Sequence, residues 1–268
     1  MIDNSSNNAV QRLNHFFNNI SQESVIIAFS GGVDSSVLAF LANKHCQKAL
    51  AITLKSCFYP EYELDTTKIT AKNIGISHLI LEIDPEEESS VWKNPPNRCY
   101  HCKKMDLSSL LEYAKQHNYD IVIEGTNISD LAGHRPGHKA IKELNIISPY
   151  LKTNISKTVI REIAENLELK VANKPASPCL ASRIPYGQKI TRTNLKMVEK
   201  AEELIRNHGF LSRLRVRWDH NNAKIEVDPE KIQEFVHFNN SYHINQKLKE
   251  LGFKSVSLDL EGYKPMIP

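Results

Sequence analysis

The residues Ser30-Gly31-Gly32-Val33-Asp34-Ser35-Ser36 combine two glycines, three hydroxyls and one carboxylate between an apolar run, Val25 to Phe29, and a helical stretch, Val37 to Ala42. Glycines there permit backbone conformations closed to other residues, and the first N–H groups of the helix that follows have no partner in their own helix. Such a concave set of N–H donors binds an anion. The hydroxyls of Ser30, Ser35 and Ser36 add donors. An aspartate beside phosphate makes chemical sense when it holds Mg²⁺, so Asp34 with Gly31 and Gly32 predicts a site for Mg-ATP. There is no G-x-x-x-x-G-K-[ST] and no lysine after the glycines, which excludes the kinase and GTPase style of phosphate loop.

Two further groups of residues carry chemistry. Cys99 and Cys102 form a C-x-x-C in Asn97-Arg98-Cys99-Tyr100-His101-Cys102-Lys103, where a helix start and flanking cations favour thiolates. A lone C-x-x-C is ambiguous among zinc, a redox dithiol and an iron–sulfur cluster. Cys179 lies in the proline-rich stretch Lys174 to Gly187, and three thiolates with no clear fourth ligand would leave one iron of a [4Fe–4S] cluster open for sulfide. Cys46 and Cys57 read as packing residues. In Arg213-Leu214-Arg215-Val216-Arg217 the arginines share one face of a strand, opposite Lys224 and Glu226. That face is either solvated, with weak cross-strand ion pairs, or an arginine platform for phosphate and carboxylate groups, where Glu226 and Glu202 or Glu203 add a metal or orient an arginine.

The elements that position these residues follow from periodicity. Short β-branched runs at 25–29, 49–54, 78–83 and 120–124 alternate with helical segments near 37–42, 64–73 and 103–116, which predicts an α/β fold with a doubly wound parallel sheet. Ligands of such sheets bind at the carboxyl ends of the strands, which places Ser30-Gly31-Gly32, Gly125 and Thr53 around one nucleotide, with Glu124 beside them. The prolines at 175, 178 and 185 predict a fixed irregular junction between a nucleotide domain, 1–173, and a smaller α+β domain, 174–268. In the latter, Thr191 caps a helix ending near Gly209, a hairpin turns at Asn221-Asn222, one helical stretch runs from Pro229 to Leu251, and a last strand covers Ser255 to Leu260.

Composition narrows the classes. With 268 residues, 41% apolar content and a formal charge of +3, the chain suits small anionic ligands and gives no sign of a nucleic-acid binder. A polar N-terminal stretch and the lack of any long apolar run predict a cytoplasmic protein that does not engage a membrane. Five cysteines in that setting predict reduced thiols.

The string S-G-G-x-D-S resembles the PP-loop ATP pyrophosphatases, which implies cleavage of ATP between its α and β phosphates to adenylate a substrate. Together with the C-x-x-C motif, Glu124-Gly125-Thr126-Asn127, Arg135-Pro136-Gly137 and Pro178-Cys179-Leu180-Ala181-Ser182-Arg183-Ile184-Pro185-Tyr186-Gly187, the chain resembles the LarE family of ATP-dependent sulfur transferases, over nearly its whole length. The resemblance implies adenylation of pyridinium-3,5-dicarboxylate mononucleotide and its conversion to a thiocarboxylate that later holds nickel. It implies substrate-binding roles for Ser182, Arg183, Arg215 and Arg217, and makes Glu202 and Glu226 candidate ligands of a divalent cation. It also implies a homo-oligomer. Sulfur comes in this family either from the cysteine at the Cys179 position, which becomes dehydroalanine, or from a [4Fe–4S] cluster on three cysteines with a replaceable sulfide. All three cysteines are present here, which favours the cluster. Glu124 stands where many relatives have aspartate. A tRNA thiolation enzyme with the same ATP chemistry is the alternative, and no added RNA-binding region is evident.

Overall fold

The structure, a computed structural model, describes residues 4–87, 89–132, 136–175 and 178–264. Arg135 and Ser177 lie outside the described residues, and of residues 4–7 only the backbone is described. Two compact units are present: Met1–Ser56, Glu61–Pro85 and Asn97–Ser177 form the first, and Cys57–Pro60, Glu86–Pro96 and Pro178–Pro268 the second.

The first unit is built on four parallel strands, β1 (Ser24–Ala28), β2 (Lys48–Lys55), β3 (Ser77–Glu82) and β4 (Ile121–Ile123), in the order β3-β2-β1-β4. Its helices are α1 (Asn4–Asn19), α2 (Val33–His45), α3 (Glu61–Ile74), α4 (Arg98–Gln116), α5 (Gly137–Glu143), α6 (Pro149–Lys152) and α7 (Lys157–Asn166). Alternation along β1 divides the core. Val25 and Ile27 face one way, against Leu13 and Phe17 of α1, Val37 of α2 and Ile160 of α7. Ile26 faces the other, against Leu107 and Leu110 of α4 and Ile141 of α5. A central strand covered by helices on both faces must be apolar throughout, which is why 25–27 is an unbroken aliphatic run. Helix α1 was not expected from the polar look of its sequence. Ala9, Leu13 and Phe17, spaced four apart, form the stripe that buries it.

Strand order decides where a ligand can sit. From β1 the chain steps outward through β2 and β3, then returns to the other side of β1 as β4. The carboxyl ends of β1 and β4 are therefore neighbours, Ile27 pairing with Ile123, and the connections leave in opposite directions. Such a reversal opens the crevice in which doubly wound sheets bind ligands. Ser30 to Ser36 and Glu124 to Asn127 both lie there.

The second unit holds α8 (Arg192–Asn207), β5 (Leu214–Asp219), β6 (Asn222–Val227), α9 (Ile232–Tyr242), α10 (Ile244–Glu250) and β7 (Ser255–Leu258). Strand β6 is central, antiparallel to β5 and parallel to β7. Thr191 caps α8 through a reciprocal box with Asn194. Two expectations need correction. The hairpin turns on His220-Asn221, both at positive φ (49° and 66°), with Asn222 already paired to Asp219. A two-residue turn matched to strand twist needs both central residues left-handed, which sets the turn one residue early. The stretch from Pro229 to Leu251 is not one helix: it opens with a 3₁₀ turn and breaks at His243, whose φ of 52° ends α9 and starts α10. No glycine or proline marks that break.

Candidate active site

Leaving β1, the chain makes the tight turn that the glycines permit. Gly31 has φ +65°, and a Cβ there would lie 2.7 Å from Thr67 Oγ1 and 3.0 Å from Thr67 Cα on α3, so this position admits only glycine. Gly32 is the N-cap of α2 and brings no side chain to cap it. The loop hydroxyls brace the turn: Ser35 Oγ donates to the Gly32 carbonyl at 3.1 Å and accepts from the Ser30 N–H at 3.2 Å. Ser36 Oγ is fully buried and has no hydrogen-bond partner among the described residues. The helix N-terminus thus keeps its N–H groups and positive dipole end for an anion.

Asp34, in the first turn of α2, is the hub of the polar groups around this loop. Its Oδ2 takes the ammonium of Lys157, from the first turn of α7, and its Oδ1 accepts from Asn127 Nδ2 at 3.3 Å. Tyr150, fully buried, donates its hydroxyl to the Asp34 carbonyl at 2.7 Å. Burial raises the Asp34 carboxyl above the usual aspartate range, and Lys157 opposes the rise. Gly125 backs onto the same residue, where a Cβ would come within 3.0 Å of Asp34 Cβ.

Glu124 ends β4 beside this hub and is 2% exposed. Lys103 Nζ lies 3.2 Å from its Oε2, Thr126 donates from Oγ1 at 2.7 Å and from its N–H at 2.9 Å, and Ser148 donates to Oε1. Burial disfavours the charge, but the Lys103 cation and the hydroxyls outweigh it, and the carboxyl is held below the usual range. Thr53, expected at the nucleotide, is 1% exposed, and its hydroxyl donates to the Phe29 carbonyl at 2.8 Å beside His78 Nε2. Reasoning from sequence missed Lys157 and the Lys103–Glu124 pair. A lysine 123 residues from its aspartate leaves no local signal.

Cys99 and Cys102 lie one turn apart at the start of α4, Cys99 exposed and Cys102 half-buried. None of the five cysteines is in a disulfide. Lys103 connects this turn to Glu124, and Asp106, half-buried one turn beyond Cys102, has its carboxyl pushed by burial from the usual 3.8 up to about 6, against the pull of Lys103. A folded-state value above the unfolded one means the folded chain holds that proton more tightly, so stability is lost as pH rises from about 4 to 6. Asp106→Asn should therefore be more stable than the parent at pH 7, by about 1–3 kcal/mol, and the difference should vanish near pH 4 in urea titrations. Among the described residues no three His, Cys, Asp or Glu side chains gather as a metal-holding group. The two α4 thiols stand as a pair, and Cys179 belongs to the second unit.

In that second unit Cys179 is exposed, at the N-cap of a 3₁₀ turn, Leu180–Arg183. Arg183, fully buried, fixes the turn. Its Nη1 donates to the carbonyls of Pro178 at 2.7 Å and Cys179 at 3.1 Å, while Nε and Nη2 grip Glu202 at 2.9 and 2.8 Å. Ser182 Oγ donates to the Cys179 carbonyl at 2.8 Å. Arg217 donates from Nε and Nη2 to the one oxygen Glu226 Oε2, at 2.9 and 2.7 Å, and also to the Ser182 and Lys264 carbonyls, so four of its N–H groups are engaged within the unit. Arg215 and Arg217 are only 6% and 7% exposed, which rules out a merely solvated sheet face. Glu202 and Glu226, candidate cation ligands from sequence, each orient an arginine here. Burial opposes the Glu202 charge, but Arg183, Arg215 and Arg206 hold the carboxyl below its usual range. Removing one partner of such a pair strands the other charge, so Arg183→Ala should destabilise by about 3–5 kcal/mol, while a paired Arg183→Met, Glu202→Leu change recovers most of it. Thermal melts of the parent and both variants check this.

Comparison with known proteins agrees with this geometry. The NAD synthase family model matches residues 6–126, which hold the β1–α2 loop and end in Gly125-Thr126. Over 256 residues the chain is 39% identical to an uncharacterized protein of Synechocystis sp., covering 95% of this chain and 94% of that one. An uncharacterized protein of Methanocaldococcus jannaschii is 35% identical over 251 residues, 94% of this chain and 95% of its own. The pyridinium-3,5-bisthiocarboxylic acid mononucleotide synthase of Lactiplantibacillus plantarum is 32% identical over 242 residues, 90% of this chain and 87% of its own. A PP-loop α/β unit, an exposed cysteine on an arginine-pinned turn and this degree of identity over both units place the chain in the LarE-type pyridinium-3,5-bisthiocarboxylic acid mononucleotide synthase family.

Proposed function

We propose that this protein is an ATP-dependent sulfur transferase that adenylates a carboxylate of pyridinium-3,5-dicarboxylate mononucleotide, releases pyrophosphate and converts the carboxylate to a thiocarboxylate. The observation that carries the reading is the uncapped N-terminus of α2 with Asp34 in its first turn, in a chain that also presents an exposed Cys179. N–H groups at 33–35 receive the departing pyrophosphate. Asp34, whose carboxyl carries the Lys157 ammonium, is the residue to hold Mg²⁺, and Lys157 follows the phosphates. Arg215 and Arg217 supply positive charge that suits a substrate with one phosphate and two carboxylates.

Cys99, Cys102 and Cys179 are the thiolates to hold a [4Fe–4S] cluster. Two exposed or half-exposed thiols on one helical turn, at the positive end of α4 and beside Lys103, suit two of the three ligand positions. Bound there, the cluster supplies a replaceable sulfide, the nucleophile the adenylate needs. Arg183 holds the Cys179 turn in place for either sulfur route. Anaerobic purification with iron and sulfide analysis tests the assignment: about four irons per chain support it, and an iron-free protein that nonetheless thiolates in repeated turnovers contradicts it. Pyrophosphate release that depends on the mononucleotide acid tests the activation step, and release with no response to that acid would count against it.

A further inference from the structure

The arginine row Arg213, Arg215 and Arg217 is covered by the segment that follows β7. After β7 the backbone stays against β6, Asp259 N–H donating to the Ile225 carbonyl and Tyr263 N–H to the Val227 carbonyl, both at 2.8 Å. Asp259 also meets Lys224 at 3.0 Å. This course carries the ring of Tyr263 over Arg213, Arg215 and Arg217, whose guanidinium carbons lie 5.1, 5.7 and 6.0 Å from its centroid. The Lys264 carbonyl takes a hydrogen bond from Arg217 Nη2 at 2.7 Å. Three like charges on alternate residues, two of them on β5, repel each other. Asp228 at 3.5 Å from Arg213 and Glu226 on Arg217 offset part of that, and the negative face of an aromatic ring offsets more.

We propose that Tyr263, on the strap Asp259–Lys264, is the positioning residue of the arginine row: its ring fixes the guanidinium planes that receive the anionic substrate. The class of that substrate, an acid bearing several oxyanions, rests on the function proposed above; the positioning itself does not. A ring that merely fills space would be replaced by leucine, whereas one that acts through its π face is replaced only by another aromatic. Tyr263→Phe, Tyr263→Leu and the parent enzyme, each checked for an unchanged melting curve, are labelled with phenylglyoxal and the modified arginines read by peptide mass spectrometry. The expected result is slow labelling of Arg215 and Arg217 in the parent and Tyr263→Phe, and labelling at least about tenfold faster in Tyr263→Leu. With the mononucleotide acid as substrate, KM should rise roughly ten- to a hundredfold in Tyr263→Leu with kcat and the KM for ATP held, and Tyr263→Phe should match the parent. Equal labelling in all three proteins overturns the positioning role even if thiolation is observed. Faster labelling in Tyr263→Leu supports the role even if the acid proves not to be the substrate.

Discussion

Asp34→Asn should lower substrate-dependent pyrophosphate release by about 10³-fold while leaving the fold intact. The carboxylate stands at the positive end of α2, with Lys157 on one oxygen and Asn127 on the other, and its side chain keeps contact with solvent. Asparagine keeps the size and one acceptor, so Tyr150 and the loop hydroxyls lose nothing, and circular dichroism and melting temperature should be unchanged. What is lost is the charge that a phosphate-bridging cation needs. The same reasoning predicts the acid limb of the rate profile. Burial holds the Asp34 carboxyl above the usual range, so the ionised form the reaction needs disappears at a higher pH than for an exposed aspartate. Lys157 opposes that rise, so Lys157→Met should move the acid limb to still higher pH as well as slow the reaction. Profiles of pyrophosphate release for parent and variant from pH 4 to 9 check the direction.

Cys179→Ala should abolish thiolated product and leave pyrophosphate release within a few-fold of the parent. The cysteine is exposed at the N-cap of its turn, and the groups that hold the turn, Arg183 and Ser182, bind backbone carbonyls and not the thiol. Removing sulfur therefore leaves the scaffold in place. Cys99→Ala and Cys102→Ala separate the two sulfur routes. If all three thiolates hold a cluster, either change stops repeated turnover; if Cys179 alone donates, both variants still give one product per chain. Unchanged thiolation in Cys179→Ala would contradict both routes.

Much of the nucleotide half was legible in the sequence because its signals are local. A buried strand, two glycines and a helix start lie within a dozen residues, and the aliphatic run 25–27 announces a strand covered on both faces. The capping box at Thr191 and the alternation of Arg215 and Arg217 are equally local. What escaped depends on long separations or on weak local preferences. Lys157 reaches Asp34 across 123 residues and Lys103 reaches Glu124 across 21, and no periodicity encodes either meeting. The break at His243 needs one residue in a left-handed conformation that its side chain does not advertise. Helix α1 hides a three-residue apolar stripe among asparagines. The arginine face shows the limit best: alternation put the arginines together, but only the tertiary structure shows Arg215 and Arg217 buried, Arg217 paired with Glu226 and Arg213 with Asp228, and all three under Tyr263.

The central claim is that ATP activates an acid here and that sulfur then replaces its oxygen. Mass spectrometry of a single anaerobic reaction containing the protein, ATP, Mg²⁺, sulfide and pyridinium-3,5-dicarboxylate mononucleotide reads every part of it at once. The account predicts AMP and pyrophosphate in step with thiocarboxylate, several products per chain, and a protein whose mass is unchanged at Cys179. AMP and pyrophosphate with no sulfur in the acid, or no dependence of either on the acid, would contradict it.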